Sequence, residues 1–135
     1  MDDAKRELVR GWLTKAQHDL ASARKLAAGP DPLLDTAIYH CQQAAEKAVK
    51  WFLVFHDHRF DKTHDIEVLM TPAITFEAAF SSLIDAADRL SPYATVYRYP
   101  GLGREPVSSE FALALQDAEH VRAAILAALP LGVHP

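Results

Sequence analysis

The sequence has little cysteine and little glycine, with one Cys and five Gly among 135 residues. A single cysteine, Cys41, cannot form a disulfide bond within the chain, so a fold held by internal disulfides is excluded. No apolar run reaches the roughly 18 residues that a transmembrane helix needs. Basic residues are not in excess either, because 14 Lys and Arg face 18 Asp and Glu. This balance argues against non-specific coating of nucleic acid but leaves a local basic patch open.

The length and the apolar content indicate one globular domain over residues 1–135. Half of the residues are hydrophobic, and a chain of this length can build one core without disulfides or metal. Met1 is followed by Asp2 and Asp3 rather than by a basic and then an apolar segment. We therefore expect no signal peptide and a cytoplasmic location.

Apolar residues recur at steps of three and four along most of the chain, as in amphipathic helices. This spacing predicts five helices. The first covers residues 4–28, and the second runs from Asp31 and Pro32 to about Phe55. A short third helix is capped by Thr63, the fourth runs from Thr71 or Thr75 to Ser91, and the fifth runs from Ser108 or Ser109 to Pro130. No segment alternates with period two, so no strand is predicted. Helices with one apolar face each must cover one another. We predict an all-α, up-and-down antiparallel bundle of four long helices and one short helix.

The second predicted helix carries polar side chains on one face. Within an arc of about 60°, at 100° per residue, this face presents Tyr39, Gln43, Glu46 and Lys50, flanked by Lys47. One interpretation is a solvated face on which Glu46 and Lys50 form a helical ion pair. The other is a surface for a partner or a second subunit, with Trp51 and Tyr39 as anchors.

The loop at residues 56–65 holds three His and three Asp in ten positions. It lacks an established metal-ligand spacing, and Arg59 and Lys62 would repel a dication, so we predict no metal site. Arg59 and His64 suit metal-free RNA cleavage instead. The imidazole can accept the proton of a ribose 2'-hydroxyl, and the guanidinium can neutralise charge on the phosphate oxygens.

A second loop, residues 89–104, has three Arg, three Tyr and no acidic residue. Guanidinium groups pair with phosphate and phenol rings stack on bases, so the loop suits unpaired nucleotides. The alternative is that the tyrosines anchor the loop on the bundle while Arg98 pairs with a carboxylate.

Three segments together resemble the HEPN family of small, all-helical prokaryotic proteins. They are His40–Lys50 (HCQQAAEKAVK), Lys62–Asp65 (KTHD) and Tyr97–Pro100 (YRYP), and their order and spacing match across nearly the whole chain. The resemblance implies a bundle that commonly dimerises and often acts with a minimal nucleotidyltransferase. Some branches of the family are metal-independent endoribonucleases and toxins with an Arg-x4-6-His motif beside a late helix, whereas Arg59 and His64 lie between the second and third helices.

The side-chain chemistry and the resemblance together suggest roles for particular residues. We expect a nucleotide or RNA to be bound by Lys47, Lys50, Tyr97, Arg98 and Tyr99, and the structural motif shared with the family comprises Gln43, Glu46, Thr63, Asp65 and Pro100. We expect His64 and Arg98 to lie close together, facing Glu46 and Lys50. The leading hypothesis is a homodimeric binding module paired with a nucleotidyltransferase, in a toxin-antitoxin-like arrangement without a cofactor. The alternatives are an endoribonuclease with Arg59 or Arg98 at the phosphate and His64 as acid or base, and a scaffold without chemistry.

Overall fold

The computed structural model describes residues 2–101 and 104–135, and within them the regular structure is entirely helical. The five α-helices are α1 (Asp3–Ala27), α2 (Leu34–Phe55), α3 (Ile66–Phe76), α4 (Ile84–Leu90) and α5 (Ser108–Ala127). Short 3-10 helices cover Ala78–Leu83, Ser91–Ala94 and Leu131–Val133. The prediction of an all-α fold is confirmed. None of the helices in the described ranges has the length and apolar character needed to span a bilayer.

Helix α2 is the centre of the bundle and packs against α1, α5, α3 and α4. Its small residues Cys41, Ala45 and Ala48 are completely buried, which lets the neighbouring helices approach closely. Burial raises the pKa of the Cys41 thiol to about 12, as expected for a core cysteine. The central position of α2 holds its polar face fixed relative to the loops.

The long helix predicted from Thr71 or Thr75 to Ser91 is divided in the structure. Helix α3 continues through Pro72 and ends at Phe76. Glu77 then adopts an extended conformation, and its carboxylate accepts a hydrogen bond from the Ala79 backbone N–H at 3.4 Å. This cap starts a 3-10 helix that leads into the seven-residue α4. The bundle therefore has three long helices and two shorter ones, rather than four long and one short.

Two predicted helix starts also differ from the structure. Asp65, not Thr63, caps α3, since its carboxylate accepts from the Glu67 N–H at 3.0 Å, while the Thr63 hydroxyl accepts from the Asp65 N–H. Helix α2 begins at Leu34 rather than at Pro32, because Leu33 has a non-helical backbone, with φ −108° and ψ 76°. The Leu33 N–H donates back to the Leu26 carbonyl at 2.8 Å. The spacing of apolar residues reveals neither the cap at Asp65 nor the turn at Leu33.

Candidate functional site

A buried carboxylate, Glu46, organises the polar face of α2. Glu46 is 5% exposed, and it accepts hydrogen bonds from Gln42 at 3.1 Å, from Lys50 at 3.1 Å and from His64 at 2.8 Å. Burial alone would raise the pKa of Glu46, but these three donors outweigh it and hold the pKa below its ordinary value. Glu46 is thus an ionised, fully paired group and not part of a solvated face.

His64 attaches the loop at residues 56–65 to this carboxylate. Its Nδ1 atom faces Glu46, and its backbone carbonyl accepts from the Gln42 side chain at 3.0 Å. Because an ionised carboxylate only accepts hydrogen bonds, Nδ1 carries the proton toward Glu46. The side chain is 57% exposed, so the other ring nitrogen is accessible from solvent.

A second carboxylate, Asp19 of α1, lies under the same face. Asp19 is 8% exposed and binds His40 at 2.8 Å and Lys47 at 2.5 Å. Asp19 is not among the residues predicted from the sequence, although it follows Ala16 by three residues and so falls in the apolar stripe of α1. An acidic residue among the apolar residues of a helix is buried when the helix packs, and it then needs a hydrogen-bonding or ionic partner. This feature of the sequence could have identified Asp19 as a site residue.

Arg98 is an exposed residue of the site. Its guanidinium carbon lies 4.3 Å from the centre of the Tyr39 ring, on the α2 face. A pocket of about 280 Å³ surrounds this pair and is lined by Asp35, Thr36, Tyr39, His40, Tyr97 and Arg98. Over the described residues, no carboxylate lies within ion-pair distance of Arg98. Its positive charge is therefore accessible from the pocket.

The expected grouping of His64 and Arg98 around Glu46 is thus wrong for Arg98. Tyr39 precedes Glu46 by seven residues, which is about 10 Å along a helix. Arg98 packs on Tyr39, whereas His64 packs on Glu46. The two residues share the face of α2 but contact different turns.

Most of the aromatic and basic side chains of the 89–104 loop are structural. The hydroxyls of Tyr93 and Tyr97 donate to Glu110 of α5 at 2.8 and 2.9 Å, and Arg104 pairs with the same carboxylate at 3.2 Å. Arg89 makes a bidentate pair with Asp117 at 2.8 and 2.9 Å. The interpretation of tyrosines as loop anchors is confirmed for these two rings.

Arg98 and Tyr99 are exposed, and within the described residues their side chains form no hydrogen bond. Tyr99 is 62% exposed, and the Arg98 guanidinium carbon lies 5.8 Å from its ring centre. Tyr97, which precedes them, has a left-handed backbone with φ +58°. This turn lets Tyr97 point into the bundle while Arg98 points toward α2.

The remaining predicted site residues lie elsewhere. Exposed Arg59 lines a separate pocket with Thr63 and Pro72, beside α3. No hydrogen bond or ion pair joins it to the Glu46 group in the part of the chain that is described. Gln43 donates to the Gln42 side chain at 2.8 Å, and Pro100 is exposed. Across residues 2–101 and 104–135, no three His, Cys, Asp or Glu side chains are placed to hold a metal ion.

The sequence and the fold are both similar to those of one protein family. The sequence profile of the HEPN domain matches residues 9–128. The fold is similar to the crystal structure of an archaeal HEPN homologue, with a TM-score of 0.68 and 24% identity over 88% of this chain and 95% of that chain. No curated protein matches the sequence. Because the profile match spans most of the 135 residues, this chain belongs to the HEPN domain family.

Proposed function

We propose that this protein is a binding module for a nucleotide or single-stranded RNA. The observation that carries the proposal is the Arg98 guanidinium stacked on Tyr39 in an open pocket. A guanidinium binds phosphate, and an aromatic ring offers a stacking surface for a base. Recognition of an unpaired nucleotide uses these two kinds of group, one for the phosphate and one for the base.

The charges around the pocket direct the phosphate to Arg98. Lys47 and Lys50 lie further along α2, and each is paired with a buried carboxylate, Asp19 or Glu46. Their charge is already balanced, whereas the Arg98 guanidinium has no ion-pair partner among the described residues, although Asp35 lines the same pocket. The first phosphate therefore binds Arg98, and the two lysines contribute to a longer strand. Exposed Tyr99 extends the stacking surface beside Arg98.

The proposed module acts as a homodimer together with a minimal nucleotidyltransferase, as a toxin-antitoxin-like pair. The support for this part is membership of the HEPN family, whose members commonly dimerise and pair in this way. Coexpression tests it: growth inhibition by this protein should be relieved by coexpression of a minimal nucleotidyltransferase. Unchanged growth with and without the second protein would reject the pairing.

The ligand proposal is tested by titrating nucleoside monophosphates and short single-stranded RNA into the protein and its Arg98→Ala variant. Loss of a hydrogen bond to a charged group costs about 1.5–3 kcal/mol, so we expect binding to weaken by about 10- to 100-fold. Arg6→Ala is the matched control, because Arg6 is an exposed arginine of α1 that lines neither this pocket nor that of Arg59. Equal affinity of the wild type and the Arg98→Ala variant would overturn the proposal.

One observation favours a second function, metal-independent RNA cleavage. Glu46 fixes the orientation of His64 and leaves the outer ring nitrogen open to solvent, as an acid-base catalyst requires. Arg59 or Arg98 would bind the phosphate in this mechanism. Cleavage of RNA in excess chelator that His64→Ala abolishes would support it. Intact RNA after prolonged incubation would reject it.

A further inference from the structure

The outer face of α1 carries a groove that ends at the Asp19–Lys47 ion pair and contains neither Arg98 nor Tyr39. It has a volume of about 490 Å³, and its lining includes Glu7, Leu8, Gly11, Trp12 and Lys15. Leu8 is 51% exposed and Trp12 is 39% exposed, although both are large and apolar. Adjacent exposed apolar side chains in a groove are typical of an association surface.

We infer that this groove is the contact surface between two copies of the chain, with their α1 helices packed antiparallel about a two-fold axis at Gly11. The inference rests on the homodimer in the proposed function and assigns its interface. Three features of α1 carry it: the spacing of its charges, its glycine, and its exposed tryptophan.

The charges of the groove are self-complementary. Glu7 precedes Gly11 by four residues and Lys15 follows it by four, so each lies about 6 Å along the helix from Gly11. A two-fold axis at Gly11 brings Glu7 of one copy opposite Lys15 of the other, and the reverse. Within the described residues, neither Glu7 nor Lys15 has an ion-pair partner in its own chain. A symmetric dimer supplies two such partners at once.

Gly11 allows the helices to approach at the axis. It lies in the groove, and a Cβ atom built on it meets no atom within 4 Å. The glycine is therefore not required by packing inside the chain. Two helices that cross at a glycine can bring their backbones closer than side chains would permit.

Trp12 provides a flat apolar surface beside this crossing. Its ring stacks on Trp51 of α2, with 5.1 Å between ring centres and 8° between planes. The stack holds Trp12 in place, so little side-chain freedom remains to be lost on association. In the antiparallel arrangement, Leu8 of the second copy reaches the exposed side of this ring.

The test measures dimer dissociation by sedimentation equilibrium, for a chain of 14.9 kDa. Glu7→Lys and Lys15→Glu each place like charges opposite one another twice, so either change should raise the dissociation constant at least about tenfold. The double variant exchanges the charges and should restore the wild-type value. Lys25→Glu is the matched control, since Lys25 is exposed on α1 outside the groove and should leave the dimer unchanged.

Gly11→Leu gives a second measurement. The new side chain has open space in its own chain, so the circular dichroism spectrum should remain helical while the protein becomes monomeric. Dimers of unchanged affinity in Gly11→Leu and in both single charge variants would overturn this interface while leaving the homodimer standing. A wild-type protein that is monomeric at all concentrations would overturn both. Binding of a nucleotide at Arg98 is measured separately and fails or survives independently.

Discussion

The Nδ1 atom of His64 lies 2.8 Å from Oε1 of Glu46, so a loop histidine closes over a carboxylate in the central helix. Lys50 reaches the other carboxylate oxygen at 3.1 Å, and Gln42 ties the His64 backbone to the same turn. The loop at residues 56–65 is therefore held by the charge of one buried group. Stability and loop position should depend on that charge.

Replacing Glu46 with Ala should destabilise the protein by about 1–3 kcal/mol, because Gln42, Lys50 and His64 lose their common acceptor. Urea unfolding followed by circular dichroism measures the change. Glu119→Ala is a suitable control, since Glu119 forms an exposed pair with Arg24 at 3.5 Å and should cost less than about 0.5 kcal/mol. Equal losses for the two variants would contradict the role of Glu46.

Stability should also fall in acid through Glu46. The folded-state pKa of Glu46 lies below its ordinary value, so the unfolded chain binds the proton first as the pH falls. The contribution is complete above the ordinary pKa of 4.5 and is lost as the pH falls through the folded-state pKa. Unfolding free energies measured from pH 7 to pH 3 should show this decline, and Glu46→Gln should flatten it. An equally steep decline in Glu46→Gln would assign it to other carboxylates.

Overpacking α2 should be costly at its centre. Ala45 is completely buried, so Ala45→Phe should destabilise the protein by about 1–3 kcal/mol. Ala112→Phe, at an exposed position of α5, provides the comparison and should change stability little. Thermal unfolding of the two variants distinguishes them, and a wild-type melting temperature for Ala45→Phe would show that this side of α2 is not the core.

The Tyr39 ring should contribute to ligand binding through its face and not through its hydroxyl. The Arg98 guanidinium covers one face of Tyr39, so Tyr39→Leu removes both the support of that guanidinium and the opposite face as a stacking surface for a base, at a cost of about 1–3 kcal/mol. Tyr39→Phe keeps the ring and should retain the affinity for nucleotide or RNA. Fluorescence titrations with labelled single-stranded RNA measure both. Loss of affinity in Tyr39→Phe would indicate a hydrogen bond instead of stacking.

The sequence predicted the long helices well and the shorter ones poorly. Helices α1, α2 and α5 repeat their apolar residues over 20 or more positions, so the helical period is unambiguous. The break at Glu77 depends on a side-chain hydrogen bond to Ala79, which has no periodic signal. Sequence spacing also placed Glu46 on a polar face, but its burial depends on the loop that His64 brings across it.

The position of Arg98 could not be predicted from the sequence, for a different reason. It depends on Tyr97, whose hydroxyl reaches Glu110 on α5 and whose backbone is left-handed. Both are tertiary properties, whereas the family resemblance and the need of a guanidinium for an anion suggested Glu46 as the neighbour of Arg98. The observed neighbour, Tyr39, lies on the same helix face, two turns earlier.

Because Tyr97 is anchored, the backbone beside Arg98 loses its conformational entropy during folding and not during ligand binding. Its side chain is buried and its hydroxyl is fixed between the two oxygens of Glu110, so the backbone next to Arg98 is ordered during folding. Ordering a residue's backbone costs about 1–2 kcal/mol, and a long side chain costs up to about 2 kcal/mol more. A ligand at Arg98 therefore has only the side-chain part left to restrict. Folding has already ordered the backbone beside Arg98, so binding of the proposed anion would not have to supply that part of the cost.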